Sequence, residues 1–279
     1  MSDTLLLINQ ALQHKINSEI KQKGVISFAE FMAMALYEPG LGYYSAGLNK
    51  IGKDGDFITA SELGSLFAQC HATVFADVFK QLNAPILVEL GAGTGQFCFD
   101  ALLALHDLQQ LPEKYLIVEV SADLKQVQQE KTKLLPKALQ QKVEWLERLP
   151  ESSFEGIIFA NEVIDALPVE VFRVENSAYQ QLVLAIENEK FTEQWQPFPK
   201  NMAQLLNDLE LNLPEGYRSE FLPQLSAWVS ATTKNLKKGM VMFVDYGYGR
   251  STYYHQQRNS GTLVCQRRHQ ANFNPYQDI

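Results

Sequence analysis

The segment Glu89-Leu90-Gly91-Ala92-Gly93-Thr94-Gly95 constrains this chain more than any other. It follows the short apolar run APILVEL (84–90) and precedes a helical pattern that starts at Thr94 and reaches Leu105. An apolar run this short, ended by glycines, reads as a buried strand that turns sharply into a helix. Glycine in such a turn accepts positive φ and lets the backbone approach a ligand closely. In an open α/β sheet this turn lies at the carboxyl edge, where ligands bind.

The pattern then repeats. KYLIVEV (114–120) is a second strand, with a helix from Ser121; KVEWL (142–146) is a third and FEGIIFANE (154–162) a fourth. GMVMFVDYG (239–247) is a fifth core strand, after a helix expected over 219–237. Strands alternating with helices imply an α/β, Rossmann-like parallel sheet covered on both faces. Residues 168–198 differ: VEVFRVEN, QQLVLAIEN and FTEQWQPF alternate apolar and polar between turns and read as an inserted antiparallel meander. Upstream, 3–22 and a segment from Ser27 are helical; Ser27 and Glu30 form a capping box. A further helix is expected over 61–82. The division is therefore 1–83, N-terminal helices and a glycine-rich loop, and 84–279, the sheet domain with an insertion at about 168–218.

Composition narrows the function classes. The 279 residues, 46% hydrophobic and 20% charged, are those of a globular protein, and the net charge of −8 disfavours a nucleic-acid partner. Three dispersed cysteines give no metal-ligand spacing and fit a reducing compartment. No apolar run reaches the ~18 residues of a membrane span. Met1–Gln10 lacks the features of a signal peptide and of an Arg-rich presequence, so a cytoplasmic location is expected. Oligomeric state is left open.

The loop spacing is G-x-G-x-G, with Gln96 where a dinucleotide fingerprint places glycine, which disfavours a nicotinamide dehydrogenase. Glu89 would repel a phosphate but suits a cationic amino-acid moiety, as in S-adenosylmethionine. Candidate donor ligands are therefore Glu89, Gly91, Gly93 and Gly95, with Glu119 at the end of the second strand to accept ribose hydroxyls. Glu144 and Trp145 end the third strand, where an adenine could be stacked and read; Trp145 serves equally well as core. Asn161 leaves the fourth strand at the same edge. Glu162 and Asp165 follow it as candidate catalytic acids, although acids there also suit a helix N-terminus. Asp245 after the fifth strand is either a further acid or a turn residue. Residues 38–60 hold five glycines and are too irregular for a helix; they form either a lid bringing Asp56 and Phe57 to the site or a plain surface loop.

Larger motifs carry a family resemblance. YEPGLGYYS (37–45), KDGDFITASELGSLF (53–67), VELGAGTGQF (88–97) with IVEVSADLKQVQ (117–128), and FANEVIDALPVEVF (159–172) resemble the MidA-like methyltransferase family; DYGYG and GTLVCQRRH add support. The resemblance implies a class I methyltransferase using S-adenosyl-L-methionine and a protein acceptor. In the family's mitochondrial branch the target is an arginine and the context is respiratory complex I assembly. Carboxylates beside the methyl group would fix a guanidinium: Glu162 and Asp165 fit that need, and Asp56 in the loop could add a third. Family members run on past this point, so the last strands of the sheet are expected beyond Ile279, or the chain is a shortened member. A methyltransferase for another acceptor and a non-catalytic assembly factor are the competing functions.

Overall fold

The computed structural model describes residues 3–46, 59–267 and 270–277. The chain opens with α1 (Asp3–Lys23), β1 (Ile26–Ser27) and α2 (Phe28–Tyr37). The capping box at the start of α2 is present: Ser27 Oγ accepts from the Glu30 amide at 3.1 Å, and Glu30 accepts from the Ser27 amide at 2.8 Å. After a 3-10 turn at Ala60–Glu62 comes α3 (Leu66–Phe79). The helix expected over 61–82 is split there because Gly64 sits at φ +148, outside helical space.

The α/β core follows as β2 (Ile86–Leu90), α4 (Gln96–Asp107), β3 (Lys114–Val118), α5 (Ala122–Thr132), α6 (Lys137–Gln140), β4 (Val143–Leu146) and β5 (Phe154–Asn161). The insertion is β6 (Glu170–Glu175), β7 (Ala178–Glu187), β8 (Lys190–Pro197), α7 (Lys200–Asp208) and β9 (Arg218–Phe221). Then come α8 (Leu225–Thr233), β10 (Leu236–Val244), α9 (Arg250–Tyr253) and the hairpin β11 (Cys265–Arg267) and β12 (Gln270–Asn272).

Five parallel strands form the main sheet in the order β10-β5-β2-β3-β4. From β2 the chain steps outward through β3 to β4, then returns to β5 on the other side of β2. The crevice of this Rossmann-like sheet therefore opens between β2 and β5. Alternate residues serve opposite layers. Leu87, Tyr115, Ile117, Ile157 and Phe159 pack under α3 and α4, while Val88, Leu90, Leu116, Ile158 and Ala160 pack on the other face with Trp228 of α8.

The meander pairs along β6, β7 and β8, with β9 beside β6. β1 joins its sheet, Ile26 opposite Leu184. The buried stripe Leu12, Ile16 and Ile20 of α1, with Phe28 and Phe31 of α2, packs on Val171, Leu182 and Leu184. The N-terminal helices and the insertion thus share one core. The helix expected over 219–237 is a shorter α8 preceded by β9; Ser219 and Glu220 are drawn into the sheet opposite Phe172 and Val171 and buried, so pairing overrides propensity.

One row of the main sheet depends on glycine. Ile86, Gly156 and Gly239 lie side by side on β2, β5 and β10. A Cβ on Gly156 would stand 1.8 Å from the Ile86 carbonyl oxygen, and one on Gly239 1.7 Å from that of Gly156. Gly156→Ala should therefore destabilise the sheet by at least about 2–3 kcal/mol. Urea unfolding would show this as a lower midpoint with the slope retained.

Candidate active site at the carboxyl edge

The glycine loop leaves β2 with Gly91, Gly93 and Gly95 at φ +62, +55 and +81. A side chain at Gly91 would meet Val163 Cγ2 at 3.0 Å, and one at Gly95 the Gln128 backbone at 3.2 Å. The loop is thus held between the turn after β5 and the face of α5. Thr94 donates from its hydroxyl to Glu62, which closes the 3-10 turn Ala60–Glu62 over the loop.

Glu119 stands just past β3 and is buried. One carboxylate oxygen accepts from the Ser121 amide at 2.9 Å and the other from Gln128 Nε2 at 2.9 Å, so the group has a single orientation. Burial pushes its pKa up. Gln128 on α5 is fully buried and ties three parts together: its Nε2 also donates to the Gly93 carbonyl at 3.0 Å, and its Oε1 accepts from Trp145 Nε1 at 3.0 Å. Gln128 was not legible as a site residue from the sequence. The available signal was its helical spacing from the Ser121 cap, which faces it back toward the sheet edge.

Two expected donor ligands are placed differently. Glu144 is not brought to the cluster: it is exposed within β4, and its carboxylate pairs with Lys114 at 2.8 Å. Neighbouring strand residues point to opposite faces, so Glu144 and Trp145 cannot both face α5, and it is Trp145 that does. Glu89 is near the loop but beneath it, in the layer under α4, where it accepts from the Tyr115 hydroxyl at 2.7 Å and is 3% exposed. It supports the loop from below and has no open face for a ligand.

On the other side of the crevice, β5 ends at Asn161 and turns. Asn161 is opposite Val244, at the end of the ladder with β10. Glu162 adopts φ +53, a left-handed conformation unusual for a side-chain-bearing residue. Asp245, just past β10, holds the turn. Its Oδ2 accepts from the amides of Ile164 (2.8 Å) and Asp165 (3.1 Å), and its Oδ1 from its neighbour Tyr246 (2.8 Å). The Tyr246 hydroxyl donates to Glu162 at 3.2 Å. Of the two readings left open for Asp245, the turn role is the one seen, and it places the acid among the others.

Glu162, Asp165 and Asp245 therefore form one carboxylate cluster. Burial first, then its acidic neighbours, raises the pKa of Glu162, and burial and Asp245 raise Asp165 to about 6. Tyrosines wall the cluster. Tyr37 donates to the Ala166 carbonyl at 2.7 Å and stacks on Tyr44 at 5.6 Å between centroids. Burial and the charges of Tyr37 and the three acids push the Tyr44 hydroxyl well above its usual range. Asp56 and Phe57 lie outside the described residues. Among the described residues, no group of three or more His, Cys, Asp or Glu is arranged to hold a metal.

Glu89 yields a stability test. Burial raises its carboxyl from 4.5 to about 8. Between those values the unfolded chain releases a proton that the folded protein keeps, so stability falls as pH rises, at most by about 1.4 kcal/mol per unit. Glu89→Gln should remove that slope. Thermal melts from pH 5 to 8.5 should show the variant gaining on the parent as pH rises.

Comparison with known proteins gives this site a context. The family model of putative S-adenosyl-L-methionine-dependent methyltransferases matches residues 70–279. A mitochondrial protein arginine methyltransferase NDUFAF7 of Danio rerio is 30% identical over 213 residues, 65% of this chain and 48% of the relative. Its Drosophila melanogaster homologue is 28% identical over 200 residues, 63% and 45% of the two chains. This chain thus spans about half the length of the curated relatives it matches. A crystal structure of a likely methyl transferase from Burkholderia thailandensis, bound to S-adenosyl-homocysteine, superposes with a TM-score of 0.93 at 34% identity. That match covers 100% of this chain and 73% of the other. The glycine loop, both sides of the crevice and β10 all fall within the matched residues, and this chain belongs to that S-adenosyl-L-methionine-dependent methyltransferase family.

Proposed function

We propose that the chain binds S-adenosyl-L-methionine at the carboxyl edge of β2 and β3 and methylates an arginine of a partner protein. The observation that carries this is the juxtaposition of a donor-shaped loop with three carboxylates across one crevice. The loop fits the donor on its own geometry. Gly91, Gly93 and Gly95 leave the backbone bare, and Glu119 is fixed with a partner on each oxygen. A carboxylate has about four acceptor positions, and Glu119 uses three on the Ser121 and Val120 amides and Gln128, so it keeps capacity for a ribose hydroxyl. The Burkholderia neighbour, with S-adenosyl-homocysteine bound, supports the same assignment.

When bound, the donor supplies an electrophilic methyl group on a sulfonium. The protein's part is to hold the nucleophile in line and to take up a proton. A guanidinium is always charged and presents five donors in a planar fork. Glu162 and Asp165 would engage that fork and localise a lone pair on one nitrogen. With the donor bound, the nitrogen that takes the methyl would have to shed a proton, and Glu162, whose raised pKa suits it to accept, would take it. The products are a methylated guanidinium and a neutral thioether. The relatives' names favour an arginine acceptor, and a respiratory-complex subunit is the first class to test because the resembled family's mitochondrial members act there.

Glu162→Gln keeps the shape and removes the charge. Losing a charge-assisted pair costs roughly 1.5–3 kcal/mol, so arginine turnover should fall at least about tenfold while donor affinity, by titration calorimetry, stays nearly unchanged. Methylation confined to lysine or to small molecules would sink the arginine assignment, and donor binding with no acceptor would favour the assembly-factor role.

The cluster also sets a pH dependence. Asp165 must be ionised to hold a guanidinium, so kcat/KM should rise as pH passes upward through about 6. In Asp165→Asn that limb should flatten or move.

A further inference from the structure

A groove of about 610 Å³ lies between α2 and the meander sheet. Small residues Ala29 and Ala33 of α2 form one wall, and Met202 at the start of α7 stands opposite. Glu170 and Gln181 form a polar floor, both buried, with Gln181 donating to Glu170 at 3.0 Å. One end of the groove, at Pro168, lies three residues along the chain from Asp165 of the carboxylate cluster. Positions 29, 33 and 37 recur every four residues on one face of α2, so Tyr37, on the cluster, is one turn beyond Ala33. Pro168, at the near end, lies two residues past Ala166, whose carbonyl the Tyr37 hydroxyl holds.

We infer that this groove takes the segment of the acceptor polypeptide immediately beside the methylated arginine, in extended form. The inference rests on the arginine methyltransferase assignment and adds to it a recognition site for sequence. Proximity to the cluster is the first argument: Pro168 and Ala33 at the groove's near end lie three and four residues from Asp165 and Tyr37, so a chain whose arginine reaches the acids would pass the groove. Chemistry is the second. Apolar walls over a floor of amide and carboxyl groups suit an extended chain, whose side chains alternate and whose N–H groups need acceptors. Charge is the third. Two glutamates and no lysine or arginine line the groove, and although Lys23 neutralises Glu30 at the rim, Glu170 remains for a donor from the peptide. The eight steps from Ala29 to Tyr37 rise about 12 Å at ~1.5 Å each, the span of about four extended residues at ~3.3 Å. Recognition should therefore extend about four residues to one side of the arginine.

The test uses a peptide library with one fixed arginine and randomised flanks, fluorescently labelled, with the whole protein and the donor. Ala33→Trp fills the groove without touching the cluster, and Met202→Trp fills it from the other wall in case the first variant folds poorly. The parent should bind the pool and show residue selection on one side of the arginine over about four positions. Both variants should bind at least about tenfold more weakly and lose that selection, yet keep donor affinity and the turnover of a short blocked arginine amide. Selection that survives in both folded variants, equal selection on both sides, or no binding by the parent would each overturn the groove. Binding that the variants abolish, with no arginine methylated by the parent, would leave the groove standing and remove the arginine assignment instead.

Discussion

The parallel pairing of β2 with β3 on one edge and β5 on the other is the constraint from which the rest of the molecule follows. It buries β2 on both faces, leaving the chain after Leu90 one exit, over the carboxyl edge. Because the connections on the two sides of β2 run in opposite directions, the turns after β2 and β5 face each other across a gap that no crossover helix fills. Val163 on one turn and Gly91 on the other meet there at near-contact distance. Donor-shaped loop and acid cluster are thus placed by one sheet rather than assembled separately.

Long-range contacts then fix what the sheet brings together. The turn after β5 is not stable on local grounds, since Glu162 sits in a left-handed conformation that costs a side-chain-bearing residue about 1–3 kcal/mol. Asp245, some eighty residues on, offsets this by accepting two amides of that turn. Gln128 does the corresponding work on the donor side, binding the Gly93 carbonyl, Glu119 and Trp145 at once. Its removal would strip the Gly93 carbonyl and Trp145 Nε1 of this partner and leave one oxygen of the buried Glu119 unmet, and an unsatisfied buried polar group costs more than the bond was worth.

These two devices also mark where sequence alone stops. Strand–glycine–helix alternation is encoded locally, so β2, α4, β3 and β5 were legible nearly to their ends, as were the Ser27 box and the Ser121 cap. That Glu119, Glu162 and Asp165 stand at the carboxyl edge was legible because each directly follows a strand of such a sheet. Gln128 and the 3-10 turn at Ala60–Glu62 could not, because their roles exist only once distant segments meet. Glu144 failed for a local reason, the strand's two-residue alternation: the residue beside Trp145 has to face the other way. The helix expected over 219–237 failed because Ser219 and Glu220 gain more from pairing with β6 than from helical propensity.

The cluster's own energetics bear on the proposed acceptor. Three acids this close repel one another, and the upward shifts of Glu162 and Asp165 measure that strain together with burial. Asp245 spends its acceptors on three backbone amides, so it is satisfied without a ligand. Glu162 has the Tyr246 hydroxyl, which feeds one oxygen. Asp165 lends its amide to Asp245, and its carboxylate, desolvated but met among the described residues only by the nearby backbone amides of Asp165 and Ala166, keeps acceptor positions for a ligand. A compact ammonium would neutralise one of the two open acids, whereas a guanidinium spreads its charge and five donors over a plane wide enough to meet both. The tyrosine wall of Tyr37 and Tyr44 adds flat faces on which such a plane can lie. On the proposed arginine reading, repulsion that would weaken an empty site thereby becomes affinity for one shape of cation.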